Sequence, residues 1–147
     1  MFPRFAIAFI VLIAPIIVTA SGQSDAGPTK VQGEGVTLPD GLQYWDIAVG
    51  KSVPAAKGKR VRVHYTGWLL DGTKFDSSHD AGHPFVFTLG QGQVIPGWDE
   101  GLVGMKEGGK RQLRVPPALA YGEQGSPPTI PPDATLVFDI EMLNVER

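Results

Sequence analysis

The chain has 147 residues, of which 42% are hydrophobic and 19% charged, and its formal net charge is −2. This length and this balance predict a single globular domain, and they give no indication of nucleic-acid binding. The basic run at residues 57–62 is interpreted as a solvated strand edge rather than a phosphate-binding patch. Cysteine is absent, which excludes a disulfide framework and a thiolate metal site.

An apolar run near the amino terminus predicts an export signal. Arg4 precedes the uninterrupted apolar residues 5–18, and the tripeptide that ends at Ala20 fits the small-residue pattern of signal-peptidase sites. About 14 apolar residues are too few to cross a hydrocarbon core of about 30 Å. We expect residues 1–20 to be cleaved from a protein exported to a bacterial periplasm. The alternatives are an uncleaved membrane anchor and a protein of a secretory pathway.

The next segment has the composition of a linker. Residues 21–38 are rich in Gly, Ser, Pro and Gln without an apolar period, so we predict a flexible leader there and a domain over residues 39–147. No dimerisation helix precedes this domain, and we expect a monomer. A first strand is predicted over residues 42–47, followed by a proline-containing connector over residues 51–57.

The central strand is followed by a hairpin turn. Apolar and polar residues alternate from Val61 to Tyr65, and the Asp-Gly pair at residues 71–72 is typical of a tight turn. The return strand carries Phe75 and Asp76. A carboxylate beside two aromatic rings needs a hydrogen-bond donor, and the nearest one in this hairpin is a phenol.

The middle of the chain contains the one strong helix candidate. We predict a loop over residues 79–83, a strand over residues 85–89 and a helix over residues 95–105. Pro96 stands at a position where the first turn of a helix tolerates proline. The apolar face of this helix comprises Trp98, Leu102 and Met105.

The last third of the chain alternates again. A strand is predicted over residues 110–115, a long loop with four prolines over residues 121–133, and a final strand over residues 135–145 with Leu136, Phe138, Ile140 and Met142 inward. One short helix and several alternating strands predict an α+β domain with a curved antiparallel sheet.

The aromatic residues favour a binding pocket. Each ring alone is typical of a core residue, but one small domain cannot easily bury all of them against one helix, and an apolar pocket with few polar groups is the usual small-ligand site. The set comprises Tyr65, Phe75, Phe85, Phe87, Trp98, Tyr121 and Phe138. His79 and His83 have no evident third metal ligand, and no dinucleotide-binding pattern occurs, so neither a metal nor a cofactor is expected.

Short motifs then follow one another in a recognisable order. They are Val63–Gly67, Lys74–Ser78, Pro84-Phe85, Val94–Trp98, Ala120-Tyr121-Gly122, Ile130-Pro131-Pro132 and Thr135–Phe138. With this order and spacing, over about residues 40–146, the chain resembles the FKBP-type, macrolide-binding peptidyl-prolyl cis-trans isomerases. The resemblance implies a half-barrel sheet wrapped on one helix, with a hydrophobic pocket between them.

The resemblance also implies roles for individual residues. Trp98 would form the floor under a proline ring, and Tyr65 would hold Asp76. The backbone N–H of Ile95 and the hydroxyl of Tyr121 would bond substrate carbonyls. The implied catalytic set comprises Tyr65, Phe75, Asp76, Trp98, Tyr121 and Phe138. The implied substrate-binding set comprises Phe85, Val94, Ile95 and Ile130.

The implied activity is rotation of Xaa–Pro bonds in folding exported proteins. Rotation opposes a barrier of about 18–20 kcal/mol, and an aromatic pocket can lower it by binding the twisted amide better than the planar one, without a covalent intermediate. Proline-containing polypeptides are the implied partners, together with the macrolides tacrolimus and rapamycin. Ser126 and Thr129 depart from the residues common in the family and bear on macrolide affinity. The alternative is a non-catalytic peptide-binding or holdase module on the same fold.

Overall fold

A curved antiparallel sheet organises the part of the chain that the computed structural model describes, residues 27–147. The predicted signal peptide lies outside these residues. The strands are β1 (Val36–Thr37), β2 (Gln43–Ala48), β3 (Lys51–Pro54), β4 (Arg60–Leu69), β5 (Lys74–Ser77), β6 (Phe85–Thr88), β7 (Lys106–Glu107), β8 (Lys110–Val115) and β9 (Leu136–Val145). Seven of them form one sheet in the order β1-β2-β8-β9-β4-β5, with β6 also paired to β4, while β3 and β7 form a separate pair.

The two long strands at the centre, β4 and β9, define an inner and an outer face. Val61 and Val63 are buried, and the inward residues predicted for β9 are exposed by no more than 4%, which confirms the alternation. The register pairs Trp68 with Val137 on the opposite, outer face. The hydrophobic core therefore lies on the inner face of the sheet.

Helix α2 (Pro96–Gly101) packs on this inner face. The predicted helix over residues 95–105 was too long, because the regular helix ends at Gly101 and a turn follows in which Gly104 has a φ of +88°. The predicted apolar face is confirmed, since its three side chains are all buried. Gly97 and Gly101 allow a close approach, because a Cβ at Gly101 would stand 2.9 Å from Leu113 of β8.

Two predicted irregular segments are regular in the structure. Residues 51–54 of the predicted connector form β3, an edge strand, where a proline such as Pro54 is tolerated. The predicted loop over residues 79–83 is wrong over residues 79–81, which belong to helix α1 (Ser78–Ala81). The Ser77 hydroxyl accepts a hydrogen bond from the His79 N–H, and Gly82 ends the turn with a φ of 82°.

The described residues therefore contain α1 and a 3₁₀ turn at Pro117–Leu119 in addition to the one predicted α-helix. These additions are short, and the α+β class with a curved antiparallel sheet is confirmed. None of the helices in this part of the chain is long and apolar enough to cross a lipid bilayer.

Part of the segment predicted as a leader contacts the sheet. The N–H and hydroxyl of Thr29 both donate to Asp139 Oδ2, at 2.9 and 2.7 Å, and Gln112 Nε2 donates to the Thr29 carbonyl at 2.6 Å. Strand β1 pairs with β2. The chain from Thr29 to β1 is thus attached to the domain along its outer face and its β2 edge.

Candidate functional site

A cavity of about 230 Å³ opens on the inner face of the sheet, above α2. Its wall is built by side chains from β4, β5, β6, β9, α2 and the loops that precede α2 and β9. The lining residues are Tyr65, Phe75, Asp76, Phe85, Gln93, Val94, Ile95, Trp98, Tyr121 and Phe138. All the predicted site residues except Ile130 line this one cavity.

Trp98 is the centre of the aromatic contacts. Its side chain is only 4% exposed. Tyr65 and Phe138 meet the Trp98 ring edge to face, with centroid distances of 4.9 and 5.3 Å, and the rings of Phe85 and Phe87 lie at 6.2 and 5.8 Å. Edge-to-face pairs stabilise one another beyond the area they bury, so the orientation of the Trp98 ring is fixed from several sides.

The wall of the cavity formed by Phe75 and Phe138 depends on a glycine, Gly67. Phe75 and Phe138 meet edge to face with centroids 5.6 Å apart. A Cβ at Gly67 would stand 2.6 Å from Phe75 Cζ and 2.8 Å from Phe138 Cε1, closer than real Cβ contacts. Only glycine at position 67 leaves room for both rings against β4.

The predicted pairing of Tyr65 with Asp76 is present. The Tyr65 hydroxyl donates to Asp76 Oδ2 at 2.6 Å, and the Ser77 N–H donates to Asp76 Oδ1 at 2.8 Å. Burial raises the pKa of the Tyr65 phenol, and the hydrogen bond to Asp76 and its negative charge raise it further. Tyr65 therefore stays protonated at neutral pH and holds the carboxylate at the edge of the cavity.

Tyr121 is the second phenol of the site. Its side chain is 43% exposed, and burial followed by the charge of Asp76 raises its pKa. The loop that carries it is closed on itself: the Ser126 N–H donates to the Ile130 carbonyl at 2.8 Å, and the Asp133 N–H donates to the Gly122 carbonyl at 3.0 Å. A neutral phenol on a closed loop is a hydrogen-bond donor available to a ligand.

Ile130, predicted as a substrate-binding residue, is not among the residues that line this cavity. It is 4% exposed and belongs to the hydrophobic core. Its N–H donates to the Ser126 carbonyl at 2.9 Å, in the bridge that closes the loop. Its position fits a support of the Tyr121 loop.

The loop before α2 is held by an acidic side chain. Asp99 accepts the N–H groups of Gly90 and Gly92 at 2.8 and 2.9 Å. The Ile95 carbonyl accepts the Trp98 N–H at 2.9 Å, which begins the helix. Asp99 thereby fixes the loop that leads to Val94 and Ile95.

Gln93 lines the cavity and was not predicted. Its Oε1 accepts the Thr88 N–H at 2.9 Å. The signal available in the sequence was its position, directly before Val94 and Ile95, both of which were predicted. A polar residue in a Gly-rich turn has no periodicity to distinguish it, so position alone would have found it.

The site contains aromatic and aliphatic side chains, two phenols, one carboxylate and the carboxamide of Gln93. Within residues 27–147, no group of three or more His, Cys, Asp or Glu side chains is arranged to hold a metal ion. His64 and His79 stack with centroids 4.1 Å apart, but neither lines the cavity. What the cavity offers chemically is an apolar surface for a ring and a few donors at its edge.

Comparisons with known proteins agree with this geometry. A family model described as FKBP-type peptidyl-prolyl cis-trans isomerase matches residues 51–143. An FK506-binding protein of Neisseria meningitidis serogroup B is 56% identical over 105 residues, which cover 71% of this chain and 96% of that protein. Peptidyl-prolyl cis-trans isomerase FKBP2 of Mus musculus is 58% identical over 116 residues, which cover 76% of this chain and 83% of that protein.

Solved structures show the same fold. The crystal structure of AtFKBP13 matches with a TM-score of 0.71 and 42% identity, over 75% of this chain and 97% of that one. The structure of FkpA from Escherichia coli matches with a TM-score of 0.72 and 45% identity, over 78% of this chain and 53% of that one.

Proposed function

Since the chain belongs to the family of FKBP-type peptidyl-prolyl cis-trans isomerases, we propose that its aromatic cavity is the place where Xaa–Pro bonds are rotated. Family membership makes the chain an isomerase. The observation that carries the assignment of the site is the gathering of the predicted residues, Ile130 excepted, around one cavity with Trp98 at its centre.

The proposed mechanism needs no nucleophile. Rotation of an Xaa–Pro bond breaks amide resonance, and the barrier of about 18–20 kcal/mol belongs to the twisted state. In this state the amide is less polarised, so an apolar cavity destabilises it less than the planar forms. Each 1.4 kcal/mol of such preference is worth about tenfold in rate.

We assign roles from the contacts. The proline ring would rest on Trp98, between Phe75 and Phe138, whose mutual orientations are fixed by edge-to-face contacts. Tyr65 would orient the Asp76 carboxylate toward the twisting amide, and Tyr121 would donate to a substrate carbonyl.

This mechanism predicts a rate that is nearly independent of pH around neutrality. The pKa values of both phenols are raised from their ordinary value of 10.0, so both remain protonated donors there. A bell-shaped profile centred near neutrality would contradict the mechanism.

The experiment is cis-to-trans isomerisation of an Xaa–Pro tetrapeptide by the purified chain, with and without tacrolimus or rapamycin. We expect catalysis that the macrolide abolishes, because both ligands would occupy one cavity. Asp76→Leu should lower the rate strongly and leave the fold intact, since Asp76 is exposed. Asp80→Leu is the matched control, an exposed carboxylate outside the cavity. Equal rates in the two variants would remove Asp76 from the mechanism.

We extend the proposal to the processing, the oligomeric state and the cellular compartment of the protein. We propose that residues 1–20 are cleaved, that the isomerase domain of residues 39–147 acts as a monomer on folding exported proteins, and that the compartment is a bacterial periplasm. What supports export is the apolar run at residues 5–18, followed by the small-residue tripeptide that ends at Ala20. Mass spectrometry of protein from cells would read Ser21 as the first residue, and an intact Met1 in a membrane pellet would favour the anchored alternative.

A further inference from the structure

Gln93 makes a contact that the proposed mechanism does not use. The Leu89 N–H donates to the Lys59 carbonyl at 2.9 Å, toward the strand that continues into β4. Successive N–H groups of a strand point to opposite edges, so the Thr88 N–H points away from β4. This outward N–H donates to Gln93 Oε1 at 2.9 Å. The side chain of Gln93 thus covers the free edge of β6 next to the cavity.

The contact also fixes the orientation of the carboxamide. A backbone N–H can only donate, so the Gln93 atom that faces Thr88 is the oxygen. The NH₂ group is then on the other side of the same carbon. Among the described residues no acceptor is hydrogen-bonded to this Nε2, and the side chain is exposed at the wall of the cavity.

The surroundings of Gln93 make this donor a defined one. The loop before it is fixed because Asp99 accepts the N–H groups of Gly90 and Gly92. The carboxylate of Asp76, which also lines the cavity, accepts hydrogen bonds from Tyr65 and from the Ser77 N–H, and none from Gln93. Gln93 therefore presents two N–H donors from a supported loop at the cavity wall, and a bound ligand would replace solvent water as their acceptor.

We propose that Gln93 is a specificity-determining residue, whose Nε2 donates to a carbonyl-type oxygen on the side chain of a residue next to the substrate proline. This inference rests on the proposed isomerase site and adds a preference among its substrates. Substrates with a carboxamide flanking the proline gain one hydrogen bond over apolar ones of the same size.

The test compares two nearly isosteric flanking residues, Gln and Met, placed either before or after the proline of a tetrapeptide. The quantity measured is the ratio of kcat/KM for the Gln peptide to that for the Met peptide. At one of the two positions, we expect this ratio to be about three- to tenfold higher for the wild-type chain than for Gln93→Met, the effect of one neutral hydrogen bond.

Two further variants separate specificity from support. Gln93→Glu keeps an oxygen for the Thr88 N–H but has no donor, so its ratio should fall to that of Gln93→Met or below. Gln91→Met changes an exposed side chain of the same loop that does not line the cavity, and its ratio should equal that of the wild type.

Other outcomes overturn the inference. If Gln93→Met lowers kcat/KM for all peptides equally and Gln93→Glu restores it, Gln93 only supports the loop. Equal ratios in all variants, with normal catalysis, refute the inference and leave the proposed function standing. A wild-type chain that catalyses none of the peptides overturns the proposed function and this inference together.

Discussion

The two faces of the central sheet use the same strands for opposite purposes. On the inner face, Tyr65 and Gly67 of β4 and Phe138 of β9 build an apolar wall, and Tyr65–Asp76 is the one side-chain hydrogen bond between residues that line the cavity in the described chain. On the outer face, residues of the same two strands make polar contacts. Asp139 accepts from Thr29 and Gln112, and His64 shares a 2.8 Å hydrogen bond with Ser78.

This difference shows where each kind of interaction is useful. A hydrogen bond to the outer face attaches a distant segment, as Thr29 is attached to Asp139 110 positions away. On the inner face, further polar groups would have to be desolvated each time the proposed site binds a proline ring. The sheet separates attachment from binding by sending alternate residues to opposite faces.

The largest effect is expected from a pair of tryptophans, one on each face. Trp98 is 4% exposed on α2 and Trp68 is 6% exposed on the outer face of β4. Replacement by alanine should lower the free energy of unfolding by about 3–5 kcal/mol in each case, through lost contacts and a cavity. Only Trp98→Ala should abolish isomerisation, measured at a temperature where both variants are folded by circular dichroism.

The two variants also test whether the faces of the sheet act independently. A Trp68→Ala variant that is folded but inactive would mean that the outer face determines the shape of the cavity. If folded Trp98→Ala keeps the kcat/KM of the wild type, the Trp98 ring is not needed for catalysis.

The second prediction adds one methyl group to the inner face. Gly67→Ala places a Cβ against Phe75 and Phe138, so at least one ring must move. Overpacking of this kind costs about 1–3 kcal/mol of stability, and a displaced wall should lower kcat/KM about tenfold. Gly27→Ala is the control, because its Cβ would meet nothing within 4 Å. Wild-type kinetics of Gly67→Ala would show that the walls need no close contact with β4.

Most of the inner face could be predicted from the sequence because its signals are local. Alternation over β4, the Asp-Gly turn and the apolar period of α2 each depend on neighbours within a few positions, and they place Tyr65, Phe75 and Trp98 correctly. Helix α2 was extended too far because Leu102 and Met105 are buried by a turn that continues the same period.

The missed features depend on distant partners or on capping. Strand β3 exists because β7 pairs with it some 50 residues later in the chain. Thr29 is held by Asp139, and no composition rule for a leader can show this contact. Helix α1 could have been found, because a Ser at its start and a Gly at its end are recognised helix caps. Gln93 makes one side-chain contact in an irregular loop, where its position before Val94 and Ile95 was the only available signal.

A smaller effect is expected from the attachment on the outer face. Thr29→Ala removes the hydroxyl that donates to Asp139 at 2.7 Å, while the backbone N–H can still donate. We expect a loss of about 1–2 kcal/mol in urea unfolding and an unchanged kcat/KM, because the contact lies behind the cavity wall. Thr29→Ser keeps the hydroxyl and should recover the stability. Slower catalysis in Thr29→Ala would show that attachment and binding are coupled across the sheet.

The smallest expected effect lies on α2, outside the cavity, where charge should alter stability alone. A hydrogen bond with Asp40, partial burial and the negative charge of Asp40 raise the pKa of Glu100 from 4.5 to about 7. Between these values the folded chain holds more protons than the unfolded one, so the free energy of unfolding falls as pH rises through this window. The stabilising contribution is complete below about pH 4.5 and is lost above about pH 7.

Glu100→Gln removes this titration and keeps a donor for Asp40. The free energy of unfolding from urea titrations should therefore fall less between about pH 5 and about pH 8 in the variant than in the wild type. The difference should be under about 1 kcal/mol, because solvent screens a partly exposed pair. The kcat/KM of the variant should equal that of the wild type at each pH, since Glu100 does not line the cavity. Parallel stability curves would show that the shared proton does not stabilise the fold, and a change in kcat/KM would show that α2 transmits charge from its outer side to Trp98.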